Sequence, residues 1–347
     1  MLNTKSLGCL LGLFLVSIQP FASAGAEGCC EENALPALPG YTVKVWAKGT
    51  SDFTNPDSIE VDRGHVWVGY QNVTSKTGGD GKFSTVVEYS SDGHLLRQFA
   101  VPGHCDGLRI DSVTHKVWAS SNEDGNPGLV SIDQGSGKIT TYSFDPTAHG
   151  GGFDDMAFLN GKMFIAASNP TLDPNGVNNF PAVNQVTFNG TKVVLTPVLM
   201  GNASAIDTMS GLAVTLNEVD PDSMSIDASG NLVLVNQAGS ELVFIANPGT
   251  TSQSVSRTLV GTQLEDTVWI KPAARGRLLV VDGKTNTIYS VETNFTAGTV
   301  YTETPDDSGV SSFIGTLNLA TGIVKPILIG FSKATGLIFA PATGDEE

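Results

Sequence analysis

The sequence predicts an all-β fold: a single β-propeller of six blades, with seven as the alternative. Three observations carry this. One pattern, x-Asp-(small)-(aliphatic)-x-(aliphatic), recurs as Pro56-Asp57-Ser58-Ile59-Glu60-Val61, Cys105-Asp106-Gly107-Leu108-Arg109-Ile110, Phe153-Asp154-Asp155-Met156-Ala157-Phe158, Pro221-Asp222-Ser223-Met224-Ser225-Ile226 and Glu265-Asp266-Thr267-Val268-Trp269-Ile270. A sixth copy, Ala334-Thr335-Gly336-Leu337-Ile338-Phe339, lacks the acid, and the steps between copies are 49, 48, 68, 44 and 69 residues. Strand-rich repeats at roughly 40–50 residues are the mark of one blade each. Apolar residues alternate or come in short runs, with no helical period beyond the N-terminal leader. The 39 glycines suit many short strands joined by tight turns.

Residues 1–24 read as a secretory signal peptide: Lys5 is the positive start, Leu7 to Ile18 the apolar stretch, and Ala22-Ser23-Ala24 the cleavage site. That predicts export, to the periplasm or outside the cell. Residues 25–40 read as an irregular arm, 41–342 as the propeller and 343–347 as an acidic tail. Within the propeller, 41–47 alternates as a closing strand joining the last blade to the first. The first blade then runs through 65–70 and the hairpin strands 85–89 and 95–99 around Ser91-Asp92-Gly93. The second takes 116–119, 128–132 and 139–142; the third takes 162–166, 182–188 and 192–199. Residues 200–219 exceed the repeat and predict a surface loop or extra hairpin. The fourth blade runs from Asp222 to about Val260, and the fifth takes 277–282 and 287–291. The strands at 299–303, 314–319 and 323–328 fall in no clear register, and 336–340 reads as the inner strand of a final blade. Closure must therefore borrow strands from both ends.

The formal charge is −16, and without Lys5 the chain has 18 bases against 35 acids. Such a surface excludes nucleic acid and anionic membrane as partners and favours cations. No segment after the signal is long and apolar enough to span a bilayer, so no membrane association is expected after cleavage, and a monomer is expected. Cys29, Cys30 and Cys105 remain after the signal, and one of the adjacent pair is a plausible disulfide partner for Cys105. Four Asn-x-Ser/Thr sequons, at Asn72, Asn189, Asn202 and Asn294, match by chance in a chain this rich in Asn and Thr.

In a propeller the first strand of each blade lines the channel, and the second returns antiparallel beside it. Asp57, Asp106, Asp154, Asp222 and Asp266 all open first strands, while Asn72, Asn122, Asn169, Asn236, Gln237 and Asp282 end second strands. Together they predict a mouth ringed by carboxylates and amides. Crowded carboxylates repel and either take up protons or bind a hard cation. Calcium, which takes six to eight oxygens, is the expected divalent metal, and the absence of a Cys/His cluster argues against structural zinc. The plainer reading is that each Asp caps its own turn.

The run from Pro221 to Val235 resembles the strand-turn-strand segment of the senescence marker protein/gluconolactonase family. Those are six-bladed propellers with a divalent metal at the channel mouth. The resemblance implies that Asp222 is a metal ligand and catalytic base. Ser223 stands where the family has glycine, and Asp57 and Asp154 stand in blades where it uses Glu and Asn. The wider repeat is similar to NHL-type and strictosidine-synthase-like propellers, and to exported bacterial proteins with an Asp-Pro-Asp-Ser motif, which implies no activity.

His104 and His149, in loops ahead of Asp106 and Asp154, are candidate general bases. No nucleophile elbow, P-loop or dinucleotide fingerprint is present. The expected function is metal-dependent hydrolysis of a lactone or ester, with a small molecule at the channel mouth. The alternative is a non-catalytic scaffold for a protein, glycan or small ligand.

Overall fold

A computed structural model of the chain describes residues 35–272, 275–306 and 309–342. The expected signal peptide, acidic tail, Cys29 and Cys30 lie outside these residues. Among the described residues there is no helix.

Strand β1 is Thr42–Lys48. Strands β2 (Pro56–Asp62), β3 (His65–Tyr70), β4 (Phe83–Ser90) and β5 (Leu95–Pro102) form an antiparallel sheet in chain order. Strands β6 (Cys105–Ile110), β7 (Lys116–Ser121), β8 (Gly128–Asp133) and β9 (Ile139–Ser143) repeat that order. So do β10 (Met156–Leu159), β11 (Lys162–Ala166), β12 (Pro181–Asn189) and β13 (Lys192–Met200). These two sets count as one eight-stranded sheet because β9 and β13 meet at a single parallel pair, Ser143 with Lys192. The surplus after residue 200 is an extra hairpin, β14 (Ser204–Asp207) and β15 (Ala213–Thr215). It lies parallel beside β19 in a sheet with β16 (Pro221–Ile226), β17 (Leu232–Asn236), β18 (Glu241–Ala246) and β19 (Ser254–Leu259).

The remaining strands exchange partners. In chain order they are β20 (Thr267–Trp269), β21 (Gly276–Asp282), β22 (Thr287–Glu292), β23 (Val300–Thr304), β24 (Phe313–Asn318), β25 (Ile323–Ile329) and β26 (Ala334–Pro341). One sheet runs β20-β23-β24-β25 and the other β1-β22-β21-β26. The expectation that 277–282 and 287–291 belong to the fifth blade is thus corrected. They are the middle strands of the last sheet, and the strands without clear register complete the fifth. Hydropathy could not tell the two apart: Leu278 to Val281 are fully buried between β22 and β26 and would read the same in either sheet. The expected closing strand and final inner strand both hold. The arm is not wholly irregular, since residues 36–38 hydrogen-bond along β25.

The arrangement is propeller-like. The core is a series of clusters between adjacent sheets: Ile59, Val68 and Tyr70 pack on Leu279, Val281 and Ile288, and Trp67 and Val86 pack on Leu108 and Val117. Each such fully buried side chain contributes about 1.5–3 kcal/mol.

The inner strands are also tied hand to hand. Ser58 donates its hydroxyl to the Asp106 carbonyl, and Ser120, on β7 beside the inner strand β6, donates to that of Asp154. Asp155 accepts the Met224 amide at 2.9 Å, and the Ser225 and Thr267 hydroxyls meet at 2.7 Å. Asp266 accepts the Leu337 amide at 3.2 Å, and Thr335 donates to the Pro56 carbonyl at 3.1 Å. The circuit β2, β6, β10, β16, β20, β26 closes on itself.

Candidate functional site

The recurring Asp-small pair marks a β-bulge. Asp57 and Ser58 stand opposite Gly69 alone, Asp106 and Gly107 opposite Ser120, and Asp222 and Ser223 opposite Val235. On β26 the extra residue is Thr335, in the copy without an acid. A bulge re-aims side chains and ends regular pairing. Here it turns the acid toward the axis and brings the small residue against the next inner strand. Gly107 shows the tightness: a Cβ there would lie 2.6 Å from the Asp154 carbonyl oxygen.

Asp57, Asp106, Asp154 and Asp266 line one pocket, joined by Glu265 and Asp155. Asp222 stands beside it, its Oδ1 accepting the Ser223 hydroxyl at 2.9 Å. The space between these groups is about 10 Å³, room for roughly one water or one ion.

The pocket has two ends. At the inner end the Arg109 guanidinium donates to Asp155 at 2.5 Å, to Asp266 at 3.2 Å and to the Met224 carbonyl at 3.0 Å. Burial raises the Asp155 pKa, but Arg109 restrains it to about 6. At the mouth there is no such guanidinium. Burial, with Lys333 opposing, pushes Asp57 up to about 8. Burial raises Asp106, Asp154, Asp222, Glu265 and Glu303 well above the carboxylate range, and their mutual repulsion adds to it. Both Glu303 carboxylate oxygens are buried without a hydrogen-bond partner.

Oxygen donors around one small space suit a hard divalent cation of the calcium type. The acids that could turn to it are Asp57, Asp106, Asp154, Asp222 and Glu265, with Asp266 committed to Arg109, whereas the group whose donor atoms already lie within 4.8 Å of one another is His104, Asp106 and Glu123.

The amides do not join the ring. Asn72, Asn122 and Asn169 adopt left-handed backbone conformations (φ 56°, 69° and 49°). Asn72 and Asn122 spend their side chains on the Thr54 and His104 amides, Asn236 on the Asp220 amide and Glu241, and Asn169 on Asp124. Asp282 caps the amides of Thr285, Ser332 and Lys333. Of the predicted amides only Gln237 reaches a mouth acid, donating to Glu265. The left-handed turn at each strand end needs Asn for backbone reasons, which mimics a ligand pattern in the sequence.

The two histidines part company. His149 is buried in its own loop, its Nε2 against the Gly152 carbonyl at 2.8 Å and its ring against Phe153. His104 places Nε2 3.3 Å from Asp106 Oδ1. Cys105 is buried with a free thiol.

Glu265, Glu303, Glu123 and Arg109 were not foreseen as site residues. Glu265 adjoins a repeat acid, and Glu303 lies in a strand without register. Arg109 carried a signal: the same repeat position elsewhere holds Glu60, Ala157, Ser225, Trp269 and Ile338, so a base there breaks the pattern.

No family model and no curated protein matches the chain. Solved structures do. A protein provisionally called a gluconolactonase is 12% identical over 88% of this chain and 91% of that one, with a TM-score of 0.50. Virginiamycin B lyase from Staphylococcus aureus is 16% identical over 87% and 96%, with a TM-score of 0.48. A Bacteroides caccae protein of unknown function is 10% identical over 81% and 85%, with a TM-score of 0.47. At these identities the likeness concerns fold alone, and the first of them supports a β-propeller. The fold and site thus define a β-propeller with an acid-lined channel mouth.

Proposed function

We propose that this is an exported, six-bladed β-propeller that binds one divalent cation, calcium by its donor chemistry, at the channel mouth and hydrolyses a lactone or ester there. The blade count is supported by the closed circuit of inner strands, each with at least three more strands beside it in its own sheet order. The observation that carries the cation is the ion-sized space among buried acids, where Arg109 is committed to Asp155 and Asp266 and the mouth acids are partly offset by Lys333 and the rim Lys76.

A bound divalent cation supplies Lewis acidity toward a carbonyl. The chain's own part is to hold it through Asp57, Asp154 and Asp222. Asp222, whose proton affinity burial raises, takes a proton from water. The gluconolactonase likeness supports this reading in fold, and the Pro221–Val235 resemblance supports it in the placing of Asp222.

The test is a thermal melt after chelation, with calcium, magnesium, manganese or zinc restored, on the parent and Asp222→Asn, alongside a lactone and ester screen. A rise of several degrees with calcium that the variant loses, together with turnover, is the expected result. No response to any metal would end the reading.

A non-catalytic scaffold is favoured by one observation: the same space is too small for an organic substrate, which must sit above the ring. A calcium response without turnover would point there.

A further inference from the structure

The lip of the mouth between β6 and the end of β7 holds a different arrangement. Thr74 donates its hydroxyl to the Gln71 carbonyl at 2.6 Å, so its oxygen can only accept from His104 Nδ1, 2.8 Å away. The Thr74 carbonyl, 3.1 Å from the same nitrogen, is also an acceptor. Nδ1 therefore carries the hydrogen, and in the neutral ring the lone pair sits on Nε2. That nitrogen is buried, has no hydrogen-bond partner and lies 3.3 Å from Asp106 Oδ1; His104 is 7% exposed. Two acceptors face each other there, which calls for a proton or a metal ion between them, while Gln71 Nε2 donates to the same Asp106 oxygen at 3.3 Å. Glu123 completes the group: one donor atom each from His104, Asp106 and Glu123 lie within 4.8 Å of one another. From the solvent side the Lys76 ammonium reaches over and pairs with Glu123.

We propose that His104, Asp106 and Glu123 form a metal site of mixed nitrogen and oxygen donors at this lip. It takes a divalent ion of the zinc, cobalt or manganese class, and Lys76 is its tethered competitor. Three protein ligands leave positions open for water or a small anion. Imidazole selects this class over calcium. A histidine whose other nitrogen donates to a carbonyl has the tautomer and orientation a metal ligand needs. His104 is then a ligand rather than a proton acceptor. The site does not require the oxygen-only ring to hold calcium, although Asp106 borders both.

The test is titration of the chelated full chain with cobalt(II), read by its visible absorption, and separately with zinc and calcium by calorimetry. His104→Ala, Glu123→Gln and Lys76→Met are compared, with melting curves as a fold check. One cobalt per chain is expected. Affinity should fall roughly tenfold or more in His104→Ala and Glu123→Gln and rise in Lys76→Met, with calcium binding unchanged by His104→Ala. Cobalt binding that is absent, or indifferent to His104, overturns the proposal. If His104→Ala does not fold, Lys76→Met decides, since weaker binding there overturns it. Calcium without cobalt leaves only the ring, and cobalt without calcium leaves only this site.

Discussion

Two groups of buried acids share one channel and differ in their company. At the inner end, Asp155 and Asp266 are gripped by Arg109 and by backbone amides of β16 and β26. At the mouth, Asp57, Asp154, Asp222, Glu265 and Glu303 crowd together with no arginine among them. The same repeat built both. One base on one strand turned the inner group into a clasp between sheets and left the outer group as an unsatisfied demand for positive charge. A repeated residue therefore has no single role, and its neighbours decide.

The strongest way to break this contrast is to remove the base. Arg109→Met leaves Asp155 and Asp266 buried and unpaired, and urea denaturation should show a loss of about 3–5 kcal/mol. Next comes the paired exchange. Asp155→Asn removes a carboxylate from both Arg109 and the Met224 amide and should cost about 1.5–3 kcal/mol. Asp154→Asn removes mutual repulsion and should leave the cation-free protein as stable or more so. If the two cost the same in parallel melts, the distinction fails.

Acidity sharpens it further. Folded Asp57 keeps its proton to about pH 8, whereas an ordinary carboxyl loses it near 3.8. The folded chain holds more protons than the unfolded one within that window, so stability of the cation-free protein falls as pH rises through it. The share of Asp155, restrained to about 6, is complete earlier. Melting temperatures between pH 4 and 9 should show this fall, and saturating calcium should flatten it. The smallest effect belongs to the ties between inner strands. Ser58→Ala removes one hydrogen bond to the Asp106 carbonyl, about 1 kcal/mol by chemical denaturation.

Much of this was legible. The spacing of Asp57, Asp106, Asp154, Asp222 and Asp266 located the inner strands because the bulge demands an extra residue and a small one beside it. Turns such as Ser91-Asp92-Gly93 marked hairpins, with Gly93 at φ 89°. What escaped depended on partners far away in sequence. Nothing local to Arg109 states that it reaches Asp266, and the strand carrying Glu303 pairs with one more than 30 residues back across an inserted hairpin. Asn122 misled because a strand-end turn and a ligand ask for the same residue type.

The exchange of strands between the last two sheets has a consequence in time. β20 waits for β23 while two strands go elsewhere, and β21 has an open edge until β26 arrives. β1, at the other end of the described chain, closes the same sheet. During synthesis the N-terminal sheets can form as they emerge and the sheet β20-β23-β24-β25 once residue 329 exists, but the last sheet is complete only after residue 341 exists. Pairing residues near 45 with residues near 290 makes that step slow by chain entropy alone. The ring snaps shut last, and losing the final strand would leave β21 with an open edge and remove the inner strand between β20 and β2.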